Sequence, residues 1–387
     1  MKLQFTFLTP LSVLAGALIL SSCGGGGSNG PSTTAGTTTG GTTAGTTTAG
    51  TTAGGTTNGS TTAGTTAGTT AGGTTAGTTT AGTTAGTTTA GGTTAGGNNS
   101  LSGQIGFVST RDGNSDIYAM DAQGNNQRAL SAINSDSEER SPSISRDGST
   151  IVWSSNRANK STTANFEIYA QRSNGAGGQI IQAYTNDTDS FAPEDTEPVI
   201  SPDGTKIAWT TTRGGNKNIA VMNITGSDQV VLTNANAGED SQPAWTSDSQ
   251  SIAFYSVRGS SRGVYIMDAS GNNQRALLVS DAASGVRYLQ PAYAANGQRL
   301  AVTVETAGGT NISLRNLDGT QSSDNFNAGS GFSFRSQADF SPDSNRLIYL
   351  ANNSSDGGGQ IQTSALDGSG ERSLTSQGQN FDARFSN

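Results

Sequence analysis

SPDGTKIAWTTTR, residues 201–213, carries the two signals on which the fold depends. In SPDG the proline presets φ for a turn, the aspartate accepts from nearby backbone N–H groups, and the glycine tolerates positive φ. IAWTTTR is short, apolar at its start and rich in β-branched and aromatic residues, which suits a strand. Both signals recur. The strand's first residue returns at Ile105, Ile151, Ile207, Ile252, Leu300 and Leu347, at spacings of 46, 56, 45, 48 and 47. Matching turns are SRDG (145–148), TSDS (246–249), AANG (294–297) and SPDS (341–344). Each strand is followed by another, such as DIYAMD (116–121) or GVYIMD (263–268). A second turn comes next, as in MDAQGNNQRAL (120–130) and MDASGNNQRAL (267–277).

A period of about 40–50 residues holding several short strands is the mark of a propeller blade. Residues 104–387 therefore predict an all-β fold, a six-bladed β-propeller with four strands per blade. The ends fit a closed ring. FDARFSN (381–387) matches ADFSPD (338–343), an innermost strand cut at its turn, and Gln104 opens the next strand of that blade. The last strand is thus expected to pair with 105–109, so that first and last blade are shared and no sheet edge stays open at the seam. A β-sandwich of irregular strands is the competing architecture, and it gives no reason for six returns of one motif.

Composition removes several function classes. Among 387 residues there are 29 acids, 21 bases, one Cys and no His, and no charge lies between Lys2 and Arg111. Without His there is no Ser-His-Asp triad and no imidazole ligand for a metal. One Cys allows neither an internal disulfide nor a Cys-rich zinc site. A net charge of −8 argues against nucleic acid as a partner, because phosphates are held by clustered Lys and Arg.

Residues 1–22 read as a signal peptide: Lys2, an apolar run from Phe5 to Leu20, then small residues. Sixteen positions are short for a membrane-spanning helix. Leu20-Ser21-Ser22-Cys23 resembles a bacterial lipobox, and the resemblance implies cleavage before Cys23 and a diacylglycerol on its sulfur. Residues 23–100 are read as the lipidated Cys and a disordered Thr-Gly-Ala linker, because 24–100 hold no aromatic, no large aliphatic and no charge from which to build a core. Its Thr density would suit O-linked sugars on a stalk. The propeller occupies 101–387.

The pattern IxFxSxRxGxxxIYxMDxxGxNxRxLT…PxWSPDG resembles the WD-type repeats of TolB-like six-bladed propellers. The resemblance covers 104–387 and implies an envelope-facing binding propeller. In that family a small α/β domain stands ahead of the propeller, and here the Thr-Gly-Ala segment takes its place.

The loops entering each inner strand and those after each second strand are expected to share one face. There an acid stands three residues before the inner-strand Pro: Glu139, Asp195 and Asp240. Eighteen residues later stand Arg157, Arg213 and Arg258. Acid and Arg occur together, which predicts structural ion pairs bracing two loops. In the next two blades the same positions hold Tyr288 with Thr306 and Arg335 with Asn353. Arg287, Tyr288, Phe332, Phe334 and Arg335 are the candidate partner-binding residues, because Arg and aromatics beside Gly on scaffold loops suit an interface. Neither Arg287 nor Arg335 has an expected acid partner. Arg111 joins them, since its counterpart position is Asn380.

The acidic loop NDTDSFAPEDTE (186–197) lacks EF-hand spacing, and no metal or cofactor is expected. The leading function is a lipid-anchored, extracytoplasmic, non-catalytic and monomeric module that binds an envelope protein or a cell-wall component. Two alternatives stay open: a propeller enzyme such as a polysaccharide lyase or hydrolase working without His, and a structural surface protein on a glycosylated stalk.

Overall fold

The structure, a computed structural model, describes residues 101–387 except 131, 158–164, 174–178, 186–192, 235–237, 324–325, 328–331, 353–358 and 387. The signal peptide, Cys23, the linker and most of the acidic loop lie outside the described residues.

Six antiparallel sheets form the propeller. Blade one joins the C-terminal strand Asn380–Phe385 to Gln104–Ser109, Asp116–Asp121 and Arg128–Ala129. Its seam register sets Ile105 opposite Phe385 and Ser109 opposite Asn380, which is the expected closure. Blade two runs Glu139–Ile144, Thr150–Ser155, Glu167–Ser173, Gln179–Ala183. Blade three runs Asp195–Ile200, Lys206–Thr211, Asn218–Asn223, Val230–Val231, and blade four Asp240–Trp245, Ser251–Arg258, Ser261–Asp268, Arg275–Asp281. Blade six runs Phe334–Phe340, Arg346–Asn352, Gln360–Ala365, Arg372–Ser373.

Blade five departs from the expected four strands. Among the described residues it has Arg287–Tyr293, Leu300–Thr306 and Gly309–Arg315. The chain then makes a single bridge, Arg315 to Gln321, and Phe326 turns into the core, edge-on to Tyr349 at 5.4 Å between ring centres.

The core lies between blades. Six apolar clusters of described residues lie at the six junctions. Each blade is covered on both faces, and its middle strands therefore lose the apolar–polar alternation of a half-exposed sheet. In blade three, Ile207, Ala208 and Trp209 are consecutive and all fully buried. Burying one such large side chain contributes on the order of 1.5–3 kcal/mol.

The hairpin turns work as the motif implies. In SPDG, Ser201 donates to Asp203 at 2.6 Å, Asp203 accepts from the Thr205 N–H at 3.0 Å, and Gly204 sits at φ 71°. Ser145 makes the same bond to Asp147, and this with the Ser149 N–H holds the Asp147 carboxyl below the usual carboxylate range.

Candidate functional site

On the loop face, two acid–Arg pairs are closed. Glu139 is fully buried and receives Arg157 Nη2 at 3.0 Å, the Ser135 hydroxyl at 2.7 Å and the Ser155 hydroxyl at 2.9 Å on one oxygen. Its other oxygen takes the Ser135 N–H at 3.2 Å. Asp195 receives Trp209 Nε1 on one oxygen at 2.9 Å and Arg213 Nη2 on the other at 3.1 Å. Burial pushes the Asp195 carboxyl up, against the pull of Thr211 and Arg213. Both acids are saturated.

The expected pair Asp240–Arg258 is not made among the described residues, which corrects the spacing argument. Arg258 instead donates to Ser256 at 3.0 Å and Gln274 at 2.7 Å, and it lies 4.3 Å from the Tyr265 ring centre. The cause is strand length. Arg157 and Arg213 stand two residues beyond their strands, whereas Arg258 is the last paired residue of Ser251–Arg258, opposite Ser261.

Arg111 is absorbed by its own blade. It donates to Ser109 at 2.9 Å, Gln127 at 2.9 Å and Asn380 at 3.2 Å, with its guanidinium 4.5 Å from the Tyr118 ring centre. Asp382, two residues beyond Asn380, serves the channel described below.

The expectation that Arg287 and Arg335 lack acid partners is overturned. Arg335 is buried and pairs with Glu371 at 3.5 Å, which also accepts from the Tyr349 hydroxyl at 2.7 Å. Phe332 packs on the core with Arg335 5.9 Å from its ring centre, and Tyr288 packs between blades with Arg315 at 5.7 Å. Arg287 pairs with Glu305, directly opposite it across two strands. Here too 18 residues separate the partners, but the charges are exchanged and stand one position earlier than in the other blades. A search for either sign at that separation would have found it.

Both donating groups of Arg287, Nε at 3.0 Å and Nη2, converge on Oε1 of Glu305. Oε2 has no partner among the described residues. Glu305 lines a cleft of about 530 Å³ between blades five and six, with Thr306, Gly308, Gly309, Phe334 and Leu350 among its walls. Of the candidate binding residues, Phe334 borders this cleft and Arg287 buttresses it. Tyr288, Phe332, Arg335 and Arg111 do not enter it.

The central channel was not anticipated from sequence. Every inner strand has a bulge, and the bulged residue has positive φ: Ser141, Glu197, Gln242, Gln290, Gln337 and Asp382, between 50° and 57°. For non-glycine residues this conformation costs on the order of 1 kcal/mol each. Hydrogen bonds offset the cost. The N–H of Gln242 donates to Glu197 at 2.9 Å, that of Gln290 to Gln242 at 2.9 Å, that of Gln337 to Gln290 at 3.1 Å, and that of Asp382 to Gln337 at 2.9 Å. Ser141 Oγ continues the series to Asp382 at 3.2 Å. These residues line a cavity of about 110 Å³ and stitch neighbouring blades together. Burial pushes the Glu197 carboxyl up, and Asp382 adds to that push. The signal was present as a polar residue at one repeat position, followed by Pro in four blades.

Comparison with known proteins agrees with this architecture. The family model described as TolB beta propeller domain matches residues 195–386. Among solved structures the chain is similar to TolB from Acinetobacter baumannii, with TM-score 0.55 and 19% identity over 73% of this chain and 66% of that one. It is similar to a putative TolB from Agrobacterium tumefaciens, with TM-score 0.52 and 17% identity over 71% and 90%. It also resembles a chain of a nidogen/laminin complex, with TM-score 0.52 and 11% identity over 73% and 97%. It thus spans just under two thirds of the Acinetobacter protein's length. No curated protein matches it. The fold defines a six-bladed β-propeller. Within that class, residues 195–386 match the TolB beta propeller domain model, and the ring is similar in fold to TolB structures.

Proposed function

We propose that this protein is a lipid-anchored, extracytoplasmic propeller that binds a component of the cell envelope without catalysing a reaction. In this reading residues 1–22 direct export, Cys23 carries the lipid, 23–100 act as a tether, and 101–387 form a monomeric binding domain. The cleft between blades five and six carries the reading. It lies where the saturated acid–Arg braces give way, and its acid keeps an open oxygen. The similarity to TolB structures supports an envelope-facing role. The nidogen/laminin likeness supports the idea that such a scaffold serves binding.

Cell fractionation checks the anchor. Cys23→Ser should move the protein from the membrane pool to the soluble pool, since one cleaved signal leaves no second hydrophobic hold. A photo-crosslinking residue checks the face: placed at Thr306 it should capture an envelope component, and placed at Arg128 on an outer strand it should not. Membrane retention of Cys23→Ser sinks the anchor, and equal capture from both positions sinks the binding face.

A further inference from the structure

The cleft on the loop face is built around a hairpin. In blade five the second and third strands are joined by a tight hairpin, with Thr306 paired to Gly309. Two glycines at its tip keep side chains out of the space. Gly309 has φ 124°, and a Cβ there would meet Ser333 O at 3.1 Å and a Phe334 ring carbon at 3.3 Å. The Phe334 ring therefore lies against Gly309 and forms part of the wall. At about 530 Å³ the space falls within the roughly 300–1,000 Å³ typical of small-ligand pockets.

Its chemistry is specific. Leu350 and the Phe334 ring supply an apolar side. Glu305 Oε2 is an acceptor with no partner among the described residues, because both Arg287 contacts fall on Oε1. The hydroxyls of Thr310 and Ser336, which can each donate and accept, likewise have no partner among the described residues and line the same cleft. The local charge is balanced by the Arg287–Glu305 pair. The chain as a whole carries −8, which disfavours anionic polymers. No excess charge invites a strongly cationic ligand either.

An aromatic wall faced by a carboxylate oxygen and free hydroxyls suits a molecule with an apolar C–H face and a rim of hydroxyls. That molecule is a pyranose. We infer that the cleft between blades five and six is a binding site for a neutral saccharide, with Phe334 against the sugar's C–H face and Glu305 Oε2 accepting from its hydroxyls. The inference rests on the binding-module reading and names the ligand class of its site.

Calorimetric titration of the full mature chain with two neutral trisaccharides, cellotriose and chitotriose, tests it, with trigalacturonate as the anionic comparator. At least one neutral sugar should bind, and Phe334→Ala should weaken it about tenfold through loss of the aromatic wall. Glu305→Gln keeps the shape and removes the charge-assisted acceptor, so it should weaken binding about fivefold. This second variant decides the matter if Phe334→Ala folds poorly. No binding of either neutral sugar up to about 10 mM, an affinity too weak to matter, overturns the inference. So does binding unchanged in both variants, or equal affinity for trigalacturonate. An envelope protein crosslinked at Thr306 and not displaced by either sugar would also overturn it, yet would leave the binding-module reading intact. Sugar binding without any envelope capture would do the reverse.

Discussion

Blades two and five solve the same local problem with opposite charges, and only one solution leaves anything over. In blade two the acid stands on the inner strand, fully buried, with both oxygens occupied by two serines and Arg157. In blade five the Arg stands on the inner strand and the acid on the second strand. Glu305 is then about one-third exposed and lines the cleft, and its Oε2 is without a partner among the described residues. The difference teaches how a repeat becomes a site. A saturated buried pair contributes to holding loops together and offers a ligand nothing, whereas an exposed pair with one open oxygen contributes little to stability and can accept a bond.

The contrast is broken most sharply by removing each acid in turn. Glu139→Ala should lower unfolding stability by about 3 kcal/mol, because it strands buried donors that now share one carboxylate. Glu305→Gln should cost only about 0.5 kcal/mol, as expected of a half-exposed pair. Denaturant titration of the two variants measures both, and equal losses would mean that the pairs do the same job.

The pH dependence sharpens the picture at blade two. Asp116 begins the third strand of blade one, next to Glu139, and Asn114 donates to it at 3.2 Å. Burial first, and then the Glu139 carboxylate, push its pKa up to about 6 from 3.8. A raised carboxyl favours the protonated form in the folded state. Its contribution is therefore fully present below about pH 4 and lost as pH rises through about 6. The turn aspartates, such as Asp147, work the other way and lose stability as pH falls below about 4. Asp116→Asn should flatten the decline between pH 4 and 7, as read by melting temperature. A decline unchanged in the variant would place its origin elsewhere.

A further effect concerns the channel, which treats the blades almost alike. Five links join the bulge residues, and the sixth, from Glu197 back to Ser141, is absent from the hydrogen bonds among the described residues. Serine is too short to reach. Ser141→Gln should complete the series and raise stability by about 1 kcal/mol, the net yield of one added hydrogen bond. A neutral or lower melting temperature would show that the remaining side-chain space is too small.

Much of the fold was legible because it depends on local properties. Turn chemistry at SPDG, the apolar runs after it and their spacing report burial and backbone conformation, and those are properties of each residue's own neighbourhood. The closure of FDARFSN onto Gln104–Ser109 followed from the same repeat. The three-stranded blade five seen among the described residues did not follow, since its sequence still supplies a turn, while Phe326 is buried against Tyr349.

The site was less legible, because side-chain pairing between strands turns on offsets of one residue. A separation of 18 places Glu139 against Arg157 and Asp195 against Arg213, yet the same separation fails for Asp240 and Arg258 once the strand runs two residues further. It succeeds again, with signs exchanged, for Arg287 and Glu305. Period, turns, blade number and closure are thus encoded in residue type and spacing alone. Which acid is saturated, which oxygen stays open, and how six polar side chains stitch the channel were settled only in three dimensions, where bulges and strand ends set the reach of each side chain.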